Sequence, residues 1–368
     1  MPKTPELLFA SYASKTLEPG LTIGAKWERM LAAMPLANVV RGKRTCVKMH
    51  LGDGYGFTTI HPYFTRKLVA AVRAAGASSV FVSDGPGAVR SAIDRGYTEE
   101  TLGCPILPVA GPNDDQSAVR AVNPAFGEFK EIEMGAAILD AEALVDFSHV
   151  KAHGACGFGG ASKNLSMGCV TQSTRGRLHH LEGGLEWDEK KCDKCGKCVD
   201  HCPNEAMSFD DNGKLDIFYH NCKYCNHCGL ICPNRAIHLA GGGYRAFQRG
   251  MALATKTVIE HFTSEHCYFI NFLTNITLFC DCWGMTTPNL VPDIGILAGS
   301  DIVAIETATL DMIKTENLIP GSLPPNWPGL GEKGHLFERL HAKDPFAVID
   351  YLAEFGLGSR AYGLREIE

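Results

Sequence analysis

The sequence predicts an α/β fold, in which a parallel or mixed sheet with Rossmann-like βαβ units is flanked by helices and carries a small inserted domain. Near the N-terminus, two apolar, β-prone runs flank a segment with helical spacing, an order that implies parallel strands. A cysteine-rich stretch then interrupts the chain, and helix-like and strand-like patterns resume after it. We therefore predict a discontinuous α/β domain at residues 1–185 and 241–368, with an α+β insertion at 186–240.

The first βαβ unit places two acidic loops at the ends of neighbouring strands. Residues 45–51 form a predicted strand that ends in Gly52-Asp53-Gly54, and residues 61–75 follow as a helix. A second strand at 79–83 runs into Asp84-Gly85-Pro86-Gly87. Ligands bind at the carboxyl ends of such strands, so Asp53 and Asp84 are candidate binding residues. Ordinary Gly- and Asp-rich turns are the alternative, because the glycines are too closely spaced for a dinucleotide fingerprint.

The other elements follow from periodicity and turn signals. We expect a leader with a short helix at 25–33, a helix, a proline-containing linker and a second helix within 88–143, strands at 143–150, 266–279 and 294–297, helices at 246–262, 303–314 and 344–355, and a surface arm at 318–334. Asp301 is the expected N-cap of the 303–314 helix, with Glu306 at a spacing similar to a capping box.

A glycine-rich loop after the 143–150 strand concentrates reactive side chains. Residues 151–169 read KAHGACGFGGASKNLSMGC. Such a turn before a helix brings backbone N–H groups close to an anion. His153 is a candidate proton donor or metal ligand, and Lys163 a fixed charge or amine nucleophile. Cys156 and Asn164 are candidate cofactor-binding residues, while close packing of two elements is the alternative function of the loop.

A basic segment follows this loop. Arg175 and Arg177 are candidates to clamp an anionic substrate, and His179 and His180 to carry protons or ligate. Adjacent residues point apart, so we expect at most one of the two histidines to face a site. A solvated basic turn is the alternative.

Two thiols flank an aspartate where the 266–279 strand is expected to end. Alternation along a strand sends Cys280 and Cys282 to the same side. The pair is compatible with a metal site completed by Cys156 or His153, with a redox dithiol, or with two buried thiols.

The cysteine-rich stretch repeats one spacing twice, with two, two and three residues between cysteines and proline after the fourth. The set comprises Cys192, Cys195, Cys198 and Cys202, then Cys222, Cys225, Cys228 and Cys232. This is the bacterial ferredoxin spacing, in which the fourth cysteine of each run ligates the other cluster. We therefore predict two 4Fe–4S clusters, one on Cys192, Cys195, Cys198 and Cys232, the other on Cys222, Cys225, Cys228 and Cys202. Structural zinc is the alternative, but it needs neither a duplicated set nor crossed ligands.

Composition narrows the class of protein. The net charge of −6 argues against a basic nucleic-acid-binding surface. No apolar run reaches the length of a membrane span, and the Met1 end lacks the apolar core of a signal peptide. Of the 15 cysteines, the seven outside the repeat are odd in number and scattered. This pattern favours a reducing compartment, and we expect a cytoplasmic protein of an anaerobe.

The chain resembles the DUF362 family of iron–sulfur proteins, on VKAHGACGFGGASKNLSMG, the inserted cysteine run, and CDCWGMTTPNLVPDIGILAGSDIVAIETATLD. It resembles the lactate racemase family more weakly, on the His153 and Lys163 spacing. That second resemblance would make His153 an acid/base residue and Lys163 the anchor of a nickel-pincer nucleotide, although the racemases have no ferredoxin insertion.

Together these features predict a ferredoxin-dependent oxidoreductase. Electrons from a soluble ferredoxin or another redox protein would pass through the clusters to a small-molecule substrate, a further metal or an organic redox cofactor in the α/β domain. The expected site residues are Asp53, Asp84, His153, Cys156, Lys163, Asn164, Cys280 and Cys282. A pure electron carrier and a racemase-like enzyme with structural clusters are the alternatives. A homodimer is compatible with the sequence.

Overall fold

A computed structural model describes residues 4–181, 184–202, 205–218, 222, 227–239, 244–325, 327 and 330–368. The strands of the described residues are Glu6–Ser11 (β1), Arg44–Met49 (β2), Ser79–Asp84 (β3), Ile106–Pro108 (β4), Ser117–Phe126 (β5), Phe129–Gly135 (β6), Ala143–His149 (β7), Lys151–His153 (β8), Gly157–Gly159 (β9), Leu185–Trp187 (β10), Met207–Phe209 (β11), Leu215–Ile217 (β12), Ile237–Leu239 (β13), Cys267–Leu273 (β14), Gly295–Gly299 (β15) and Gly363–Glu366 (β16).

The α-helices of the described residues are Ile23–Ala33 (α1), Leu36–Val40 (α2), Pro62–Ala74 (α3), Pro86–Ser91 (α4), Glu99–Leu102 (α5), Ala136–Leu139 (α6), Ala161–Gly168 (α7), Gln172–His180 (α8), Lys197–Asp200 (α9), His227–Ile231 (α10), Tyr244–His261 (α11), Ile302–Met312 (α12), Leu336–His341 (α13) and Phe346–Glu354 (α14). Among them, no helix has the length and apolar character needed to cross a bilayer.

Eight strands form one mixed sheet, in the order β16-β1-β15-β14-β7-β2-β3-β4. The five strands β14, β7, β2, β3 and β4 pair in parallel, whereas β15 is antiparallel to both of its neighbours. The fold is therefore α/β with a mostly parallel central sheet, as predicted.

Both faces of this sheet are covered, which explains why its central strands read as continuous apolar runs. Every residue of β7, β14 and β15 is buried. One core packs α7, α11, α12 and α14 against one face, and a second core packs α1, α2 and α3 against the other.

The structure corrects several predicted elements. The expected leader contains β1, which pairs with β15 and β16. The expected linker within 88–143 contains β4 and the β5–β6 hairpin, and only four residues of the second expected helix form α6. Exposed residues dominate β5, so this strand of the hairpin lacks the apolar signal of a core strand.

The N-terminus of α12 confirms one capping prediction and contradicts the other. Asp301 caps this helix, because its carboxylate accepts a hydrogen bond from Ala304 N at 2.9 Å. Glu306 does not complete a capping box. Its Oε1 atom instead accepts a hydrogen bond from Ala161 N, at the start of α7. The acceptor at the start of that helix is thus a carboxyl group of the protein itself.

The cysteine-rich stretch lies between α8 and α11. In its described residues, β10 pairs with β13 and β11 with β12, and α9 and α10 complete the segment. These elements enclose a small apolar cluster of their own that includes Leu185, Met207, Leu215 and Ile237. The predicted exit at 241–243 lies outside the described residues, and so does Cys225.

Candidate functional site

A cavity of about 530 Å³ opens at the carboxyl edge of the parallel strands. Its walls come from the segments that follow β2, β3 and β7, from α7 and α8, and from the turn at 280–282. Six of the predicted site residues line it: Asp53, Asp84, Lys163, Asn164, Cys280 and Cys282. His153 and Cys156 are not among the described lining residues.

The most reactive group in the cavity is a pair of thiols that share one ammonium. Lys163 Nζ lies 3.5 Å from Cys280 Sγ and 3.4 Å from Cys282 Sγ. The hydrogen bond from Cys282 and the charge of Lys163 hold the pKa of Cys280 well below its usual range, although burial opposes them. The same hydrogen bond raises the pKa of Cys282. One proton is therefore retained on Cys282, and Cys280 is the thiolate.

The charge of Lys163 is equally fixed. Burial alone would lower the pKa of this amine, but the charges of Cys280 and Cys282 raise it above its usual value. A protonated amine cannot act as a nucleophile, so the geometry favours the fixed-charge role over the nucleophilic one.

The thiols are brought together by a turn rather than by strand alternation, so the sequence argument for their common side was wrong. Strand β14 ends at Leu273, and residues 281–283 form a single 3₁₀ turn with Cys280 as its N-cap. Gly159 lies against the pair and its lysine, because a Cβ atom there would be 3.3 Å from Lys163 Cδ and 3.4 Å from Cys280 Sγ.

His153 lies behind the thiol pair and is fully buried. Its Nδ1 atom accepts hydrogen bonds from Ala155 N and Cys156 N, so the proton of the neutral ring is on Nε2. Nε2 is 3.8 Å from Cys282 Sγ. The Cys156 thiol donates to Phe158 O at 3.2 Å. His153 thus contacts the thiol pair, whereas Cys156 supports the loop.

A buried charged cluster lies below the 280–282 turn. Asp281 Oδ2 is 3.1 Å from His149 Nδ1, and Asp281 Oδ1 is 3.5 Å from Lys151 Nζ. The other ring nitrogen of His149 donates to Thr274 O at 2.6 Å. Burial opposes ionisation of Asp281, but the charges of Lys151 and His149 hold its pKa well below the usual range. The cluster anchors the turn that carries both thiols.

A second buried network is centred on Asp84. Its Oδ1 atom accepts from Lys48 Nζ at 3.0 Å, and its Oδ2 atom is 2.8 Å from His50 Nδ1 and accepts from Leu51 N at 2.9 Å. Burial opposes ionisation of Asp84, but the charges of Lys48 and His50 hold its pKa well below the usual range. Burial likewise opposes protonation of His50, and the charge and hydrogen bond of Asp84 raise its pKa.

Asn164 joins this network to a buried carboxyl group. Its side chain accepts from Lys48 Nζ at 2.9 Å and donates to Asp146 Oδ1 at 2.7 Å. Burial raises the pKa of Asp146 to about 8, against its hydrogen bonds with Ser148 and Asn164. Asp146 is therefore protonated at neutral pH.

The loop 157–160 approaches this site closely, and only glycine fits at its end. A Cβ atom on Gly160 would lie 2.4 Å from Glu306 Oε1. Burial raises the pKa of Glu306 to about 7, against hydrogen bonds from Asn271, Ala161 and Ser162. The glycines of this loop thus serve close packing as well as the cavity wall.

The basic segment contributes to the rim of the cavity. Arg175 lines it, whereas Arg177 pairs with Glu131 and Glu133 elsewhere. His179 and His180 are both among the residues that line the cavity. The ring of His179 stacks on Phe247 of α11, with 4.7 Å between the ring centroids.

One wall of the cavity belongs to the cysteine-rich segment, because Ile217 and Phe218 are among the lining residues. Phe218 N donates to Ala206 O at 2.9 Å, and Phe218 O accepts from Cys222 N at 3.2 Å. A residue that borders the cavity is thus one hydrogen bond from a predicted cluster ligand.

Several of the predicted cluster cysteines share a small cavity or matching backbone hydrogen bonds in the cysteine-rich segment. Cys192, Cys195, Cys198 and Cys232 line one small cavity, together with Phe209 and Ile237. Cys202 Sγ accepts from Ala206 N, and Cys232 Sγ accepts from Ala236 N, both at 3.2 Å. Cys222 and Cys228 are buried. In the described part of the chain, no group of three or more His, Cys, Asp or Glu side chains is arranged to hold a metal ion.

Sequence reasoning missed His50, Asp146, His149, Lys151 and the role of Asp281 as the anchor of the 280–282 turn. His50 carried only one signal, its position near the end of a predicted strand, and the structure places it directly after β2. Its partner Asp84 is 34 residues away, and only the parallel register of β2 and β3 brings them together.

Fold and site together define the class: a mixed α/β protein with a dithiol cavity at the carboxyl ends of its parallel strands. The family described as "Domain of unknown function (DUF362)" matches residues 46–311, which is most of the chain. The chain therefore belongs to the DUF362 family, as its sequence motifs indicated.

Two solved structures are similar over about two thirds of the chain. One is a crystal structure of a protein from Thermotoga maritima, with 11% identity, 70% of this chain and 52% of that chain covered, and a TM-score of 0.37. The other is the lactate racemase apoprotein from Thermoanaerobacterium thermosaccharolyticum, with 9% identity, 67% and 49% coverage, and a TM-score of 0.34. The chain thus spans about half the length of the structures it matches. A comparison with curated protein sequences found no match.

Proposed function

We propose that the protein is an iron–sulfur oxidoreductase that receives single electrons from a soluble ferredoxin at two 4Fe–4S clusters and uses them in the strand-end cavity. One observation carries the proposal: the cysteine-rich segment and the Cys280/Cys282 pair border the same cavity, through Phe218 on one side and the thiols on the other.

The cysteines that line one small cavity support the first of the two clusters. The four thiols that line one small cavity are the crossed set predicted from the ferredoxin spacing, with Cys232 joining the first run. A cube with iron at four corners keeps its thiolates farther apart than a zinc ion, whose Zn–S bonds are about 2.3 Å long. The wider spacing of a cluster agrees with the four cysteines here, which line one shared space but are not arranged around a single metal ion in the described residues.

The backbone around these cysteines supports the same assignment. Ala206 N and Ala236 N donate to Cys202 Sγ and Cys232 Sγ with equal lengths of 3.2 Å. Hydrogen bonds to cluster sulfurs tune the reduction potential, and each bound cluster supplies one electron at a time. The remaining proposed ligands are Cys222, Cys225 and Cys228.

Within the cavity, we assign the Cys280/Cys282 pair as the redox terminus. Lys163 holds its ammonium against both sulfurs, in the position where a metal ion would need to neutralise two thiolates. This favours a redox dithiol over a metal site. His153 would hydrogen-bond Cys282, and Lys163 would stabilise the thiolate of Cys280.

The other predicted residues shape the cavity around this terminus. Asp84 and Asn164 hold Lys48, and Asp53 lines the opening. Cys156 supports the loop that carries His153. We propose that Asp53, Asp84 and Asn164 have binding roles and that Cys156 has a structural role.

Analysis of anaerobically purified protein tests the proposal. We expect about eight irons and eight sulfides per chain, and oxidation of added reduced ferredoxin in proportion to the protein. Nickel or a nucleotide with little iron would instead support the racemase-like alternative. Iron that reduced ferredoxin cannot reduce would refute the proposed function.

A further inference from the structure

The cavity contains a nucleophile and a second thiol within reach of it. Cys280 is 6% exposed, and Cys282 is more open to the cavity. The two side chains are hydrogen-bonded to each other, and both contact Lys163. A thiolate next to a protonated thiol is the arrangement that thiol–disulfide exchange requires, because one sulfur attacks and the other resolves.

Three histidines in or next to the cavity, His50, His149 and His153, differ in how their ring nitrogens are engaged. In His149 both ring nitrogens are engaged, by Asp281 and by Thr274 O. In His153, Nδ1 accepts two backbone hydrogen bonds and Nε2 faces Cys282. In His50, Nδ1 is held by Asp84, whereas Nε2 is buried and has no hydrogen-bond partner among the described residues.

A buried donor without a partner costs free energy unless a ligand supplies the acceptor. His50 lines the cavity, and the negative charge of Cys280 acts on its ring. The hydrogen bond and charge of Asp84 favour the imidazolium form. Nε2 is therefore a proton donor placed on the same cavity as the nucleophile.

Asp84 is a positioning residue. Its Oδ2 atom fixes His50 Nδ1 and accepts from Leu51 N, and its Oδ1 atom is fixed by Lys48. These three contacts, all from β2 and the two residues that follow it, leave the carboxylate one orientation, which fixes the ring of His50 as well.

We propose that this cavity reduces small disulfides, with Cys280 as the nucleophile, Cys282 as the resolving thiol and His50 as the acid for the first leaving sulfur. The Cys280 thiolate attacks one substrate sulfur, the substrate S–S bond breaks, and the leaving thiolate takes the Nε2 proton of His50. Cys282 then attacks the mixed disulfide, its own proton passes to the second leaving sulfur, and a Cys280–Cys282 disulfide forms.

The cycle closes with two electrons delivered singly from reduced ferredoxin and two protons from solvent, which restore the Cys280 thiolate, the Cys282 thiol and the His50 imidazolium. The net reaction converts one disulfide, two electrons and two protons into two thiols. Only this closing step rests on the proposed function. The burial of Cys280 restricts the substrate to a small molecule, and Arg90 and Arg175 at the rim favour an anionic one.

Trapping the mixed disulfide tests the exchange directly. The Cys282→Ser protein, isolated anaerobically with its clusters, is mixed with dithiodipropionate and analysed by peptide mass spectrometry. We expect one adduct per chain, on Cys280. Cys104 is an internal control, because burial raises the pKa of that thiol to about 11. No adduct on Cys280, or equal labelling of Cys104, would overturn the proposal.

The role of His50 is tested by leaving-group chemistry. Dithiodipropionate releases an alkyl thiol that needs a proton, whereas dithiobis(nitrobenzoate) releases an acidic thiol that does not. His50→Gln should slow adduct formation from the first probe by about 100-fold and from the second far less, because there only the lost positive charge near Cys280 acts. His61→Gln, at an exposed N-cap of α3, should change neither. Equal slowing of both probes would refute the acid role.

The experiments distinguish a failure of the proposed electron-transfer function from a failure of the thiol–disulfide exchange. Adduct formation consumes no electrons, so an adduct without ferredoxin oxidation removes the proposed function and leaves the exchange chemistry. Reduction of an internal Cys280–Cys282 disulfide by ferredoxin, without any adduct, removes the exchange chemistry alone.

Discussion

The cysteine-rich segment and the strand-end cavity assemble their chemistry in opposite ways. The segment carries its eight predicted ligands within one stretch, at a repeated spacing. The cavity draws Lys48, Asp84, Lys163 and Cys280 from distant parts of the chain and holds them in buried charge networks. The comparison teaches that cluster ligands can be predicted from their spacing in the sequence, whereas the acid and the nucleophile of the cavity are defined by contacts between distant parts of the chain.

The largest effect should follow loss of a cluster ligand. Cys222→Ser should lower the iron content from about eight to about four per chain and abolish electron delivery to the cavity. Iron analysis and ferredoxin oxidation measure the two effects. Cys104→Ser, which removes a buried thiol in the α/β body, should change neither. Full iron retention in Cys222→Ser would break the assignment of the segment.

The next largest effect should follow loss of Lys163, which affects the cavity and not the clusters. Lys163→Ala should abolish turnover and leave the cluster absorbance intact. Removal of the ammonium should raise the pKa of Cys280, because the adjacent positive charge favours the thiolate. The pH dependence of Cys280 alkylation measures it.

Lys163→Arg keeps the charge and is the matched variant. It should retain most of the reactivity of Cys280 below pH 7. Unchanged turnover in Lys163→Ala would remove this residue from the mechanism.

A substitution where the cysteine-rich segment meets the cavity should have a smaller effect on electron delivery. Phe218→Ala removes the side chain that carries the segment into the cavity wall, and electron delivery to Cys280/Cys282 should slow by a factor of a few while the iron content stays constant. Leu230→Ala, an exposed apolar residue of α10, is the control. Equal rates in all three proteins would show that the shared wall has no part in transfer.

These regions also differ in how far the sequence predicted them. The β2–α3–β3 unit and the loops of Asp53 and Asp84 were predicted, because apolar periodicity and Gly-Asp turns are local signals. His50 was not predicted, because a single histidine near the end of a strand forms no recognisable pattern. Its partner Asp84 is brought next to it by the parallel pairing of β2 with β3.

The thiol pair shows a prediction that reached the right contact by the wrong route. Cys280 and Cys282 do face one cavity, but the 3₁₀ turn at 281–283 brings them there. The anchor of that turn, the Asp281–His149–Lys151 cluster, joins residues about 130 positions apart in the chain, which periodicity cannot pair.

The smallest effect concerns stability and tests the buried network of the cavity. Asp146 binds its proton up to a pKa of about 8 in the folded state, against about 3.9 when unfolded. The folded state therefore binds more protons between these values, and stability falls as pH rises through the window. The loss is at most about 1.4 kcal/mol per pH unit.

Asp146→Asn mimics the protonated form and should lose less stability between pH 5 and pH 9 than the unsubstituted protein. Apparent unfolding midpoints at the two pH values measure the difference. The exposed Asp94→Asn variant should follow the unsubstituted protein. The same pH dependence in Asp146→Asn would contradict the buried proton.

The most direct measurement of the central claim is the redox state of Cys280 and Cys282 during reduction of the holoprotein. Oxidised protein is mixed anaerobically with reduced ferredoxin, quenched with an alkylating agent at intervals, and mapped by mass spectrometry. The account predicts that both thiols become alkylated together, with two electrons consumed beyond those held by the clusters. Fully reduced clusters beside an unchanged Cys280–Cys282 pair would contradict it.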